Sequence, residues 1–247
     1  MQCSVSAGPM KVQLRMSGHI SIKDDPHEAA RRIREVLHKG ETAVIPTDTV
    51  YGIIADPGSA AAVEGIFAAK RRPAQKSVQI LCSDIRQAQN CGIIIPHLYT
   101  RLLACFPAGS LCIVCPASDG CRLATAREEG GMRTQAVRFP AGRTLQYLLE
   151  TAGPVAASSA NRSGEASATD MEQAEDELGE AVSLYVDGGS TPGAAASTVV
   201  SLDRATMLRI AEGKDADTSQ AKLDVLREGV ISAEDVAAAM HTVMRSQ

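Results

Sequence analysis

Apolar residues recur along this chain at two spacings, one helical and one extended. Ala30, Ile33, Val36 and Leu37 follow helical spacing after Asp25-Pro26, a typical helix start, and Gly40 provides the stop. Short β-rich apolar runs alternate with such segments. Expected helices span about residues 25–40, 59–72, 96–105, 143–152, 170–180 and 232–244, with one more after Ser83. Ser83 and Thr169 are the predicted N-terminal caps of their helices. Expected strands span 42–46, 77–82, 110–115, 136–140, 155–157, 183–187 and 197–202.

This alternation predicts an α/β domain built on a twisted, mixed sheet with flanking helices. Within the 247 residues, we expect an N-terminal extension over 1–22, which includes a short strand, and one catalytic domain over 23–247. Residues 117–132, which contain three glycines, are expected to form a loop, and a polar stretch at 211–222 is interpreted as an inserted loop. The N-terminus lacks an apolar core typical of a signal peptide, and no run reaches transmembrane length, so we expect a cytoplasmic protein without a membrane partner.

Charge and cysteine usage narrow the function classes. The net charge of −4 argues against a globally basic nucleic-acid-binding protein, so any anion specificity must be local. Seven cysteines, several in apolar surroundings, favour reduced thiols over a disulfide framework. Cys112 and Cys115 have CxxC spacing, but on a strand they point to opposite faces. The five histidines do not cluster, and no structural metal site is predicted.

A basic cluster, Lys70-Arg71-Arg72-Pro73-Ala74-Gln75-Lys76, lies between a predicted helix that Pro73 ends and a predicted buried strand. On a connecting arm, these cations can converge on a phosphate or a carboxylate. An arm lysine makes few core contacts, so Lys70→Ala is expected to cause little loss of stability. The alternative is that Lys70 and Arg71 complement a helix dipole and Lys76 is an ordinary surface lysine.

Three polar segments at strand ends are further candidates for a ligand site. Thr47-Asp48-Thr49 follows a strand and is interpreted as the rim of a ligand site. The alternative is a turn in which Thr and Asp satisfy local backbone groups. Ser158–Gly164 is rich in small hydrogen-bond donors that could bind a phosphate, and the alternative is a plain polar loop. Arg138 lies among apolar residues and needs an anion, either a bound one or an internal acidic partner.

The order and approximate spacing of five motifs resemble the YrdC-like family, which includes the threonylcarbamoyl-adenylate synthases. The motifs are Pro46-Thr47-Asp48-Thr49-Val50-Tyr51-Gly52, Lys70-Arg71-Arg72-Pro73, Ala136-Val137-Arg138-Phe139-Pro140, Ser159-Ala160-Asn161-Arg162-Ser163-Gly164 and Ser197-Thr198-Val199. The resemblance covers about residues 25–235. It implies a twisted, mostly open α/β sheet with a positive concave surface. It also implies the synthesis of threonylcarbamoyl-adenylate and pyrophosphate from L-threonine, bicarbonate or CO2, and ATP with Mg²⁺.

The resemblance also implies roles for individual residues and for partners. The nucleotide would be bound by Lys70, Arg72, Ser159, Asn161 and Arg227, and L-threonine by Thr47, Tyr51, Arg138 and Ser197. No covalent nucleophile is implied. Two arginines could correspond to the arginine of the family's Leu-Arg-x-Gly motif, Arg227 and Arg209. Arg227 is matched to it, because Leu226-Arg227-Glu228-Gly229 keeps the glycine of that motif. A separate transferase complex would move the product's threonylcarbamoyl group to tRNA.

Three positions depart from the family's pattern. Cys112 stands where a threonine is usual, Ser77-Val78 stands for Pro-Leu, and Ser158 stands for a proline. These departures bear on amino-acid specificity more than on ATP use. They keep open one alternative, a related carbamoyl-handling enzyme with another substrate. The other alternative is a family member that binds double-stranded RNA or ribosomes without making an adenylate.

Overall fold

A computed structural model describes residues 17–73, 76–193, 195–214 and 220–245. Across these residues the strands are β1 (Gly18–Ser21), β2 (Ala43–Pro46), β3 (Tyr51–Ala55), β4 (Gln79–Leu81), β5 (Leu111–Pro116), β6 (Arg127–Glu129), β7 (Met132–Arg138), β8 (Val155–Ser159), β9 (Leu184–Asp187), β10 (Thr198–Leu202) and β11 (Leu223–Arg227). The helices are α1 (Pro26–His38), α2 (Ala60–Ala69), α3 (Ile85–Asn90), α4 (His97–Leu103), α5 (Arg143–Ala152), α6 (Met171–Leu178), α7 (Arg204–Ala211) and α8 (Ala233–Arg245), and a short 3-10 helix spans Gly179–Ala181.

Side-chain caps begin several of these helices. The caps accept a hydrogen bond from the backbone N–H three residues ahead, which satisfies one of the free donors of the first turn. They are Asp25, Ser59, Asp84, Asp170 and Asp203. The start of α1 at Asp25-Pro26 confirms the sequence prediction. The predicted caps Ser83 and Thr169 are wrong by one residue, because the neighbouring aspartate carboxylate makes the capping bond in each case.

The described strands form one mixed sheet in the order β1-β9-β2-β3-β8-β4-β7-β5-β10-β11, and β6 forms a hairpin with β7. Neighbours are parallel at β1/β9, β9/β2, β4/β7 and β5/β10, and antiparallel at the remaining pairs. Helices cover the sheet through three apolar clusters. One cluster packs α4, α7 and α8 against the sheet, the second packs α1 and α5, and the third packs α2 and α6. The predicted class, a mixed α/β sheet with flanking helices, is confirmed.

Several elements differ from the sequence prediction. β3 was not expected, since Thr47 to Gly52 was interpreted as a polar strand end. The predicted loop over 117–132 contains β6, and the region after residue 202 contains α7 and β11. The short strand expected within residues 1–22 is present as β1, which pairs in parallel with β9. Residues 1–16, and 215–219 of the predicted inserted loop, lie outside the described residues. Among the described helices, none is long and apolar enough to cross a membrane.

Candidate anion and nucleotide site

A cavity of about 550 Å³ opens on the sheet where β8, β4, β7, β5 and β10 run side by side. Its described lining combines three arginines with hydroxyl groups and small apolar side chains, and contains no carboxylate, histidine or lysine. The lining residues are Thr49, Val50, Arg72, Ser77, Gln79, Cys112, Ala136, Arg138, Ala157, Ser158, Ser159, Ser167, Thr169, Gly193, Ala195, Ala196, Ser197, Val199 and Arg227. The side chains on the wall therefore carry only positive formal charge.

The register of the sheet explains which side chains meet in this cavity. Arg138 on β7 is the cross-strand partner of Cys112 on β5, and Cys112 is the partner of Val199 on β10. Directly paired residues share a face of a sheet, so these three side chains lie in one row. Ala157 pairs with Gln79 in the same way. Small side chains such as Ala157 leave the space that the arginines surround.

Arg72 is held at one wall of the cavity by two neighbours. Its Nη1 donates to Ser158 Oγ at 2.9 Å, and its Nη2 donates to the carbonyl of Ser77 at 3.0 Å. Its Nε is buried and has no hydrogen-bond partner among the described residues. Burial lowers the pKa of Arg72, and the charges of Arg127 and Arg227 lower it further. A guanidinium that is crowded by other cations and keeps a free buried donor is suited to bind an anion.

Arg227, at the end of β11, reaches the same cavity from the opposite side. Its Nη2 donates to the carbonyl of Ser197 at 2.7 Å. A Cβ on Gly229 would lie 2.0 Å from the carbonyl oxygen of Ala196, so glycine is needed for this close approach. Arg209 lies on α7, donates to Thr206 Oγ1 at 3.3 Å and does not line the cavity. Of the two competing arginines, the structure brings Arg227 to the site.

Arg138 is almost fully buried at the cavity wall, and Asp48 is its internal partner. The Nη2 of Arg138 lies 2.9 Å from Asp48 Oδ1, and its Nε donates to the carbonyl of Gly109 at 2.7 Å. The second carboxylate oxygen of Asp48 accepts from the backbone N–H of Ala141 at 2.9 Å. The internal ion pair that the sequence left open is therefore present. The ion pair occupies Nη2, and the bond to the carbonyl of Gly109 occupies Nε, so two of the three nitrogens of the guanidinium have partners.

Lys70 differs most from the sequence expectation. It is the C-terminal cap of α2 and only 2% exposed, and its ammonium group donates to the carbonyls of Ser159 and, at 2.6 Å, Asn161. Burial lowers its pKa to about 8, and the charge of Arg72 contributes to the decrease. The prediction that the cations lie together on an exposed arm is wrong for Lys70. α2 ends at Ala69, before Pro73, and the lysine side chain folds beneath the turn after β8.

The turn after β8 carries the other two predicted nucleotide-binding residues. Ser159 lines the cavity, whereas Asn161 is 5% exposed and its Nδ2 donates to the carbonyls of Arg162 and Glu165, each at 2.8 Å. The backbone N–H of Ser163 donates to the carbonyl of Lys70 at 2.9 Å. Lys70 and Asn161 thus fix the conformation of this turn from beneath, and Ser159 presents its side chain to the cavity.

The predicted threonine-binding residues separate into two groups. Arg138 and Ser197 line the cavity, but Thr47 and Tyr51 do not. Thr47 Oγ1 donates to the carbonyl of Val50 at 2.5 Å, which is the local turn considered as an alternative. The hydroxyl of Tyr51 donates to the carbonyl of Gly189 at 2.7 Å and accepts from the N–H of Gly188 at 3.0 Å. Both residues shape loops beside the cavity rather than its wall.

Gln79, Ser167 and Thr169 supply polar groups to the lining but were not singled out as site residues from the sequence, and the loop that precedes Ser197 supplies small side chains. Thr49, which belongs to the run predicted as a possible ligand rim, also lines the cavity. The polar run at Thr47 to Thr49 indicated its general position, but nothing in the sequence distinguished Gln79. Cys112 does line the cavity; burial raises the pKa of its thiol to about 12, against the opposing effect of Arg138 and Arg227.

The fold and this cavity define an α/β protein with an arginine-lined cavity, whose positive charge is suited to an anionic ligand. A family model described as "Telomere recombination", for the Sua5, YciO and YrdC proteins, matches residues 35–211. The chain therefore belongs to the Sua5/YciO/YrdC family, and the predicted membership of a YrdC-like family is confirmed.

Named relatives and solved structures agree with this membership. A Mycobacterium leprae protein grouped by name with the threonylcarbamoyl-AMP synthases is 35% identical over 185 residues, which cover 74% of this chain and 83% of that protein. The Bacillus subtilis threonylcarbamoyl-AMP synthase is 32% identical over 67% of this chain and 48% of its own length. Pyrococcus abyssi Sua5 complexed with L-threonine matches with a TM-score of 0.73 and 27% identity, over 91% of this chain and 60% of that one.

Proposed function

We propose that this chain is an L-threonylcarbamoyladenylate synthase, a nucleotidyltransferase that forms threonylcarbamoyl-AMP and pyrophosphate from L-threonine, bicarbonate or CO2, and ATP. The observation that carries the proposal is the cavity itself. Three arginines converge on its wall, and its described lining holds no carboxylate, histidine or lysine. Such a wall attracts polyanions, and although serines line it, its described residues include no histidine to act as the base of a hydrolytic triad. The names of the relatives support the same activity.

The reaction requires positioning and charge neutralisation more than it requires a reactive side chain. The amine of threonine adds to CO2 and loses a proton, which gives a carbamate. A carbamate oxygen then forms a bond to the α-phosphorus of ATP, and the bond from that phosphorus to the bridging oxygen of the β-phosphate breaks. Pyrophosphate leaves with that bonding electron pair. Donors placed around the phosphates stabilise the charge that develops during this displacement.

The arginines divide between the two substrates in this proposal. Arg72 and Arg227, which both line the cavity, bind phosphate oxygens. Ser159 contributes a hydroxyl near the α-phosphate. Arg138 binds the carboxylate of L-threonine with Ser197 beside it. Lys70 and Asn161 act from beneath, because their polar groups already bond to the turn after β8.

Mg²⁺ enters this proposal as part of the substrate MgATP. Among the described residues there is no group of three or more metal-ligating side chains, so the protein offers no preformed cage. Mg²⁺ commonly retains waters and binds through substrate phosphates, which fits this cavity. Arginines alone would neutralise only part of the charge of a triphosphate. Activity should therefore require added Mg²⁺ and be lost with EDTA.

The product is a reactive mixed anhydride, so a second enzyme must consume it promptly. A transferase complex that passes the threonylcarbamoyl group to tRNA stays a prediction for this chain, as do a cytoplasmic location and direct binding of tRNA or double-stranded RNA. The net charge of −4 restricts any RNA contact to a local surface. Such a contact would weaken steeply as salt is raised.

The proposal is tested by pyrophosphate release from MgATP and bicarbonate with a series of amines. Release that depends on L-threonine, and is weaker with L-serine and L-valine, is the expected result. Release with another amine alone, or with carbamoyl phosphate, would show a related carbamoyl-handling enzyme and would replace the substrate. No release with any amine, together with salt-sensitive RNA binding, would favour the RNA-binding alternative.

A further inference from the structure

Asp48 holds a largely buried position beside Arg138, which lines the cavity. Its side chain is 13% exposed, and its two carboxylate oxygens bind different elements of the fold. Oδ1 pairs with Nη2 of Arg138 on β7. Oδ2 accepts a hydrogen bond from the backbone N–H of Ala141, which lies three residues after Arg138 in the chain. The carboxylate therefore ties the guanidinium to the backbone that leads into α5.

The guanidinium is also fixed from its other side. The Nε of Arg138 donates to the carbonyl of Gly109 at 2.7 Å. Gly109 adopts φ +82°, and a Cβ at this position would lie 2.0 Å from Asp48 Oδ2 and 3.2 Å from Nη2 of Arg138. The backbone at Gly109 can approach the ion pair this closely only because it lacks a side chain.

One nitrogen of the guanidinium stays available. Nε and Nη2 are anchored, whereas Nη1 of Arg138 makes no hydrogen bond within the described residues, and the side chain lines the cavity. A guanidinium that is fixed at two nitrogens has lost most of its rotamer freedom before a ligand arrives. Less entropy is then lost when the third nitrogen binds a carboxylate.

We propose that Asp48 is a positioning residue for amino-acid recognition: it holds Arg138 so that Nη1 faces the carboxylate of the incoming amino acid. The inference rests on the proposed function and adds to it the residue that organises the amino-acid half of the site. Asp48 does not touch the substrate in this account. It acts through Arg138 alone, so its removal affects the requirement for threonine and leaves the requirement for ATP unchanged.

The test is Asp48→Asn, which preserves the shape of the side chain. An asparagine offers one oxygen and one NH2 group, so it can accept from Arg138 or from the N–H of Ala141 but not from both. We expect KM for L-threonine to rise about tenfold, equivalent to about 1.4 kcal/mol, and KM for ATP to stay within about twofold. Asp203→Asn is the matched control, because Asp203 also accepts from backbone N–H groups but caps α7 away from this cavity.

A double-mutant cycle with Arg138→Gln separates positioning from general loss of structure. If Asp48 acts through Arg138, the double variant has the same KM for L-threonine as Arg138→Gln alone. A further rise in the double variant would overturn the inference. If Asp48→Asn alone does not fold, because Arg138 is then buried without its partner, the double variant can still be measured, since it contains neither of the two charges.

The outcomes distinguish this inference from the proposed function. Wild-type protein without threonine-dependent pyrophosphate release would overturn both. An active wild type with an unchanged KM for L-threonine in Asp48→Asn would overturn only the inference about Asp48. Equal increases in the KM values for threonine and ATP would also contradict it, because they would indicate a general distortion of the site.

Discussion

Lys70→Met provides the sharpest physical test of how the site is supported. The wild-type ammonium group donates to the carbonyls of Ser159 and Asn161 while it is almost fully buried. Its removal loses two hydrogen bonds made by a charged donor, each worth about 1.5–3 kcal/mol. Removal of the ammonium group also removes the unfavourable desolvation of a buried charge, which offsets part of that loss. We expect a net destabilisation of about 1–3 kcal/mol near neutral pH, against the sequence-based expectation of little loss.

The lowered pKa of Lys70 makes the free energy of unfolding depend on pH. Burial lowers the pKa of Lys70 from 10.5 to about 8 in the folded protein. Between these two values the unfolded chain binds more protons than the folded one, so the stability of the wild type increases with pH. The whole shift corresponds to about 3 kcal/mol, and about 2 kcal/mol of it falls between pH 7.5 and 9.5.

The assay is urea denaturation of wild type and Lys70→Met at these two pH values, followed by circular dichroism at 222 nm. Other titrating groups are common to both proteins and cancel in the difference between their free energies of unfolding. The destabilisation caused by Lys70→Met should therefore grow by about 2 kcal/mol from pH 7.5 to 9.5. A difference that does not change with pH would refute the reasoning that Lys70 is buried in its charged form.

Three further predictions follow from the geometry of the site. Arg227→Ala should raise KM for ATP at least about tenfold, as expected for loss of one phosphate contact, whereas Arg209→Ala should not; equal effects would contradict the choice of Arg227. Gly131→Ala should lower the free energy of unfolding in urea by about 1–2 kcal/mol, the cost of the positive φ alone, because a Cβ at Gly131 meets nothing within 4 Å. Gly109→Ala should lower it by more, because a Cβ at Gly109 also collides with Asp48. In native protein at pH 8, iodoacetamide should alkylate Cys112 far more slowly than in urea, as mass spectrometry of peptides would show, since burial keeps its thiol protonated.

Much of the fold could be predicted because local signals agreed with tertiary structure. α1 has a cap, a proline and an apolar stripe, and the apolar strands β5 and β8 are bounded by turn residues. β3 was missed because Gly52 and the preceding polar run are unfavourable in a strand, and burial between β2 and β8 compensates. β11 was missed because this edge strand is largely solvent-exposed, so its sequence lacks a buried apolar face.

The sequence could predict which residues belong to the site, but not how those residues contact one another. Sequence order could show that Arg138 needs an anion, yet the pairing with Asp48 spans 90 positions and depends on the packing of the β2–β3 loop against β7. The basic cluster likewise looked like one exposed arm. In the folded chain its first lysine turns inward beneath the turn after β8, and Arg72 faces the cavity. Charge and spacing cannot indicate which cation of a run is buried.

If this cavity joins a threonine carbamate to AMP, the product carries a carbon atom from bicarbonate. Mass spectrometry of the product formed from MgATP, L-threonine and ¹³C-bicarbonate tests this directly. The expected product is threonylcarbamoyl-AMP that is one mass unit heavier than the product from unlabelled bicarbonate, in an amount equal to the pyrophosphate released. Pyrophosphate released without a labelled adenylate, or a product that carries the label without threonine, would contradict it.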